Sequence, residues 1–317
     1  MMETSVQKPN LFIVGQPRSG TTALHNFLAQ HPEIFMSPDK EPHHFCKDII
    51  RESDAFYRKK MYYLKYRSEE NYLKLFSGVK NEKIIGESTA NYLYSNLAAE
   101  LIYEFNPQAK IIMLLREPVS FLYSWYCYLV SRLQETADNF ELALALEERR
   151  RAGQNIPGTI EAPSRLYYSE KIKYSEQVLR YFDVFDTSGI KVIIYEDFKK
   201  QNDVVYKQVL EFLGVDTSFK PDFSRVNVSR NARFVKFNKW LLNPCFTKVA
   251  LVCFPVNLRA KIKMVLNKLL FDGKKPKPID PLLRQKLMSA YKPEVVKISD
   301  FLGIDLVKQW KYDEVPD

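Results

Sequence analysis

Cysteine and glycine are both scarce, with four and 10 copies in 317 residues. Cys46, Cys127, Cys245 and Cys253 lie far apart, with no C-x-x-C pair and no histidine at finger spacing. That pattern excludes a zinc finger and a disulfide framework, and reduced, mostly buried thiols are expected. Few glycines, no repeat and no low-complexity tract exclude collagen-like and linker-dominated architectures. Long apolar runs are missing too. The apolar run Val249–Leu258 contains Pro255 and is too short to span a bilayer. The polar stretch Met1–Asn10 has no signal-peptide core, so a soluble, cytoplasmic chain is expected. RNP, KH and finger patterns are absent, and the aromatics are not interleaved with the charges. Nucleic acid is therefore not expected as the main target.

What is present is an ordinary globular composition, 46% hydrophobic and 27% charged. The 19 tyrosines and 21 phenylalanines predict a well-filled core and aromatic-lined pockets. Lysine and arginine total 47 against 38 aspartates and glutamates, a net charge of +9. Nucleic acid, a membrane surface and a phosphorylated small molecule would each suit that excess.

Leu11–Val14, stopped by Gly15, reads as a buried parallel strand, and further strands are predicted at Ile34–Met36, Lys83–Glu87, Lys110–Leu115 and Ile190–Tyr195. Helical patterns cover Thr21–Gln30, Asn96–Phe105, Val119–Leu133, Phe140–Arg151, Ser169–Phe185 and Val204–Leu213. This alternation predicts an α/β fold, a mainly parallel sheet with helices on both faces. A helical, basic, proline-punctuated tail follows from Trp240. No domain boundary is evident, so one domain over 1–317 is expected, with a core at about 10–233 and a helical extension at 234–317.

Gly15-Gln16-Pro17-Arg18-Ser19-Gly20-Thr21-Thr22 joins the first strand to the first helix, and four residues separate its glycines, the P-loop spacing. Such a turn aims backbone N–H groups and a helix N-terminus at an anion. A Walker loop would place lysine where Thr21 stands, and positive charge comes instead from Arg18. The strand Lys110–Leu115 ends in Arg116 rather than a magnesium-binding aspartate. Metal-dependent γ-phosphoryl transfer is thus not expected.

Pro17-Arg18-Ser19-Gly20-Thr21-Thr22 resembles the 5′-phosphosulfate loop of sulfotransferases that use 3′-phosphoadenosine-5′-phosphosulfate (PAPS). Arg116, with Pro118 two residues on and Ser124 eight residues on, resembles that family's 3′-phosphate signature. The resemblance implies a P-loop-like fold, PAPS as co-substrate, no metal, and Arg18, Ser19, Gly20, Thr21, Thr22, Arg116 and Ser124 as donor ligands. It also implies a basic loop closing over the 3′-phosphate, matched by Asn227–Arg233, with Arg233 preferred as ligand and Arg230 second.

Lys40-Glu41-Pro42-His43-His44-Phe45 is similar to a Lys-Glu-Pro-His-Phe-Phe segment of heparan-type and related bacterial sulfotransferases. There the glutamate is the proposed base, which implies Glu41 as general base and Arg18 as phosphosulfate ligand. His43 would orient or stabilise the transferred group, with His44 as runner-up. A carboxylate, an imidazole and an arginine can divide proton removal and charge stabilisation among them. Gly86-Glu87-Ser88-Thr89-Ala90-Asn91-Tyr92 departs from the family, because Ser88 stands where a lysine is usual; Glu87 is a second carboxylate candidate.

These readings predict sulfuryl transfer from PAPS to a hydroxyl or amine of a small-molecule, carbohydrate or carrier-linked acceptor. The alternatives are a P-loop kinase-like phosphotransferase and a non-catalytic nucleotide-binding protein. Basic residues in 259–277 beside an apolar run would suit a membrane or an acidic partner, but an amphipathic helix with a solvated face is the expectation.

Overall fold

The structure, a computed structural model, describes residues 7–224 and 278–315, with the backbone of one antiparallel pair, Asn231–Ala232 against Phe271–Asp272. Arg230, Arg233, Cys245, Cys253 and, apart from that pair, segment 259–277 lie outside the described residues. Contacts divide the chain into two compact units. One comprises Met1–Leu122, Tyr168–Asn227 and Arg284–Asp317; the other comprises Tyr123–Tyr167 and Val228–Leu283.

The first unit holds five strands, β1 (Leu11–Gly15), β2 (Ile34–Met36), β3 (Ile84–Ser88), β4 (Lys110–Leu115) and β5 (Ile190–Ile194). Their order is β2-β3-β1-β4-β5, and every pairing is parallel, as the sequence predicted. Burial on both faces explains why β1 and β4 read as unbroken apolar runs. Leu11 and Ile13 of β1 join a cluster with Leu24, Phe27 and Leu28 of helix α1 (Thr21–Leu28) and with Val205, Val209 and Leu213 of the helix Asn202–Leu213. Phe12 turns the other way and meets Phe45 edge-on, and Phe45 in turn contacts Tyr72 and Tyr92. Because all strands run the same way, their carboxyl ends open on one edge, where α/β sheets take their ligands.

Several predicted helices differ in extent. The expected helix Asn96–Phe105 begins at Ala98, because Ser95 Oγ accepts from the Ala98 N–H (3.2 Å) and the Asp48 carboxylate takes the Asn96 N–H (2.7 Å). Ser169–Phe185 is two helices, Tyr168–Lys171 and Tyr174–Phe182, and Phe140–Arg151 breaks at Leu146. Lys47–Tyr57 is a helix the pattern did not reveal, since only Ile49, Ile50 and Ser53 of it are buried. The tail of the first unit, from Arg284, contains most of the helix Pro281–Leu302 and ends near Trp310 and Tyr312. It is fastened to the strand ends: Glu117 accepts from Arg284 (3.0 Å) and the Tyr312 hydroxyl (2.8 Å), and Glu196 from the Trp310 indole (3.0 Å). In the second unit, Arg150 is wholly buried, ion-paired with Glu135 at 2.6 Å and donating to the Ala143 carbonyl.

Gly15 ends β1 opposite Leu114 with φ 149°, and a Cβ there would lie 2.4 Å from the Leu114 carbonyl oxygen. Both atoms belong to central strands that cannot move apart. Gly15→Ala is expected to cost about 3 kcal/mol or more, read as a lowered denaturation midpoint.

Candidate active site

All five strand ends contribute. β1 delivers the phosphate loop, β2 the segment from Ser37 to Phe45, β3 Glu87 and Ser88, β4 Arg116, and β5 Tyr195.

In the loop, Gly20 caps α1 in the left-handed conformation (φ 92°). No side chain caps the helix, and its first turn carries no acidic residue. Its leading N–H groups are therefore left for an anion. Ser19 is buried, and its hydroxyl has no hydrogen-bond partner among the described residues. Arg116 braces the loop by donating from Nη1 to the Arg18 carbonyl (2.8 Å), its guanidinium lying 4.7 Å over the Tyr195 ring, while Nε is buried and has no partner among the described residues. Arg18 itself is exposed. Ser124 is half-buried on the helix Pro118–Ser131 that follows Arg116.

Glu41 is held against the end of β3. Its N–H donates to the Ser88 carbonyl (2.9 Å), and its carboxylate accepts the Ala90 N–H (3.1 and 3.3 Å). His43 Nε2 lies 3.9 Å from Glu41 Oε2, and the His43 ring meets Tyr63 edge-on at 4.8 Å. The three residues singled out for catalysis, Arg18, Glu41 and His43, all have left-handed backbones, with φ of 69°, 55° and 57°. Non-glycine residues rarely adopt this conformation, and it concentrates where geometry serves function. His44 has a different setting: it is buried, bonded through Nδ1 to the Tyr66 carbonyl (2.7 Å) and stacked on Tyr72 at 4.3 Å. Those contacts make it a packed core ring and leave His43 as the imidazole beside Glu41.

Glu87 is fully buried, with its carboxylate accepting from Tyr72 (3.0 Å), Tyr92 (2.7 Å) and Thr89 (2.7 Å). Burial nevertheless outweighs these donors and pushes its pKa up to about 7. A carboxyl raised in the folded state stabilises most below its unfolded value near 4.5, and that contribution is lost as pH climbs through 7. The stability gap between wild type and Glu87→Gln should therefore change by roughly 3 kcal/mol across that window, measured by denaturant unfolding at several pH values. His25 has the opposite sign. Burial, aided by Lys40, lowers its pKa to about 3, so its contribution is lost as pH falls. Neutral at physiological pH, His25 pairs through Nδ1 with Ser88 Oγ at 2.9 Å.

Sequence reasoning missed Lys40, His25 and Tyr195. Lys40 stands beside Glu41 in the quoted segment, but no spacing tells that its ammonium reaches Thr22 Oγ1 (2.8 Å). Among the described residues no group of His, Cys, Asp and Glu is arranged for a metal, and no helix is long and apolar enough to cross a membrane.

Residues 9–219 match the model of a sulfotransferase family. Human carbohydrate sulfotransferase 15 is 28% identical over 257 residues, covering 65% of this chain and 44% of that protein. Human bifunctional heparan sulfate N-deacetylase/N-sulfotransferase 3 is 28% identical over 220 residues, covering 67% and 23%. The chain thus spans less than half the length of these curated relatives. The crystal structure of a sulfotransferase from Alicyclobacillus acidocaldarius superimposes with a TM-score of 0.70 at 28% identity, covering 96% of this chain and 99% of that one.

Proposed function

The chain belongs to the sulfotransferase family, and from that premise we propose that it transfers a sulfuryl group from PAPS to a hydroxyl or amine of a carbohydrate, carrier-linked or small-molecule acceptor. The observation that carries the reading is the loop at the end of β1, with a helix N-terminus uncapped and a buried Ser19 hydroxyl unpartnered among the described residues, and Arg116 bracing it from β4. Unpaired buried donors around one turn are what a phosphorylated donor would satisfy.

Arg18, Ser19, Gly20, Thr21 and Thr22 would hold the 5′-phosphosulfate, and Arg116 the 3′-phosphate. Ser124, Arg230 and Arg233 keep their assignment from the sequence resemblance alone. PAPS supplies an activated sulfonate whose leaving group is a phosphate. Glu41 would take the acceptor proton as the acceptor atom bonds to sulfur and the sulfur–phosphate oxygen bond breaks, that bonding pair leaving with adenosine 3′,5′-bisphosphate (PAP). The Ala90 N–H fixes the Glu41 carboxylate for this task, and His43 orients the group in transit. An acceptor screen with 35S-labelled PAPS in EDTA tests the proposal. Label transfer to an acceptor, with no phosphoryl transfer from ATP and magnesium, supports it; ATP-dependent phosphorylation would replace it with the kinase reading.

A further inference from the structure

We propose that Lys40 is a catalytic ligand of the donor's sulfonate, supplying from the end of β2 the ammonium that the phosphate loop lacks at Thr21. The inference rests on the PAPS reading above and deepens it. Lys40 is half-buried, and among the described residues its sole hydrogen-bond partner is a neutral one, Thr22 Oγ1 at 2.8 Å. No carboxylate stands within ion-pairing distance of it among the described residues, and Glu41 and Glu87 act on it only at longer range. An ammonium drawn out of water toward a single hydroxyl lacks both a counter-charge and two acceptors, and that arrangement is costly unless an anion completes it.

The same loop carries the unpartnered Ser19 hydroxyl, three residues before Thr22, and the guanidinium bracing its Arg18 carbonyl has an unpartnered buried Nε. These polar groups, contributed by β1, β2 and β4, are deficient in acceptors around one turn. Lys40 is also the residue immediately before Glu41. One short segment therefore offers a cation to the phosphate loop and a carboxylate to the acceptor side, which places the lysine at the group that passes between them. His25, beside Lys40, is kept neutral by burial and does not share that role. As the bond from the acceptor atom to sulfur forms and the bond from sulfur to the phosphate oxygen breaks, Lys40 donates hydrogen bonds to sulfonate oxygens and keeps its own protons. The acceptor proton goes to Glu41, and PAP leaves with the electron pair.

The experiment uses the full chain with Lys40→Met and Lys40→Arg. In Lys40→Met, kcat should fall about 10²-fold, the scale for losing one charge-stabilising donor. Affinity for PAP, which has no sulfonate, should stay within about threefold by calorimetry, a difference below 1 kcal/mol. Lys40→Arg should recover part of kcat, since it restores a positive charge at the sulfonate. A kcat within about threefold of wild type in Lys40→Met overturns the inference. So does a joint fall of PAP affinity and thermal midpoint with kcat, which would make Lys40 a brace for Thr22. A wild type that binds no PAP overturns the donor reading itself, and this inference with it.

Discussion

Glu41→Gln should lower kcat by about 10²–10⁴-fold while leaving donor affinity unchanged. Glutamine keeps the shape and an oxygen that accepts the Ala90 N–H, now 3.1 Å from the carboxylate. The left-handed backbone at φ 55° and the Glu41 N–H bond to Ser88 are untouched by the change. Only the capacity to take a proton is removed, so the loss belongs in kcat and not in PAP binding. Steady-state kinetics at saturating donor, with a calorimetric titration of PAP, separates the two. A variant keeping more than about a tenth of wild-type kcat would show that Glu41 is not the base.

Arg116→Met is expected to weaken PAP binding about 10²-fold or more, the scale for removing one member of a buried charge-assisted contact. The arginine leaves β4 under three constraints: its Nη1 bond to the Arg18 carbonyl, the Tyr195 ring beneath it, and the Tyr174 hydroxyl bonded to its own carbonyl (2.7 Å). A planar fork is needed to stack on the ring and hold the loop carbonyl while offering a face to phosphate, so Arg116→Lys should recover little. Adenosine 5′-phosphosulfate, which has no 3′-phosphate, should lose much less affinity than PAP. Equal losses for both ligands would reduce Arg116 to a brace for the loop.

The sheet was legible because both faces are buried, so that Leu11–Val14 and Lys110–Leu115 announce themselves as apolar runs between glycine and arginine. The phosphate loop was legible for a related reason. Its chemistry lies in consecutive residues, and its departure at Thr21 is visible without any fold. The helix limits were less legible, because side chains from elsewhere decide them: Asp48 takes the Asn96 N–H and delays a helix that local propensity would start earlier. Lys40 was illegible for the same reason on a larger scale. Its importance depends on β2 lying beyond β3 at the sheet edge while its side chain returns to α1. The two adjacent histidines could not be separated by pattern either. Stacking on Tyr72 and the Tyr66 carbonyl mark His44 as packed, and contact with Glu41 marks His43 as the one beside the carboxylate.

The excess of nine positive charges is a poor guide to function until it is placed. Arg18, Lys40 and Arg116 come from three different strand ends and serve one loop, an arrangement that suits a donor with phosphates at both ends of its ribose. Calorimetry of the wild-type chain in EDTA, comparing PAP with ADP, tests that account most directly. PAP should bind at least about 10²-fold more tightly than ADP, because only PAP offers Arg116 a 3′-phosphate. Equal affinities, or ADP binding that requires magnesium, would contradict it.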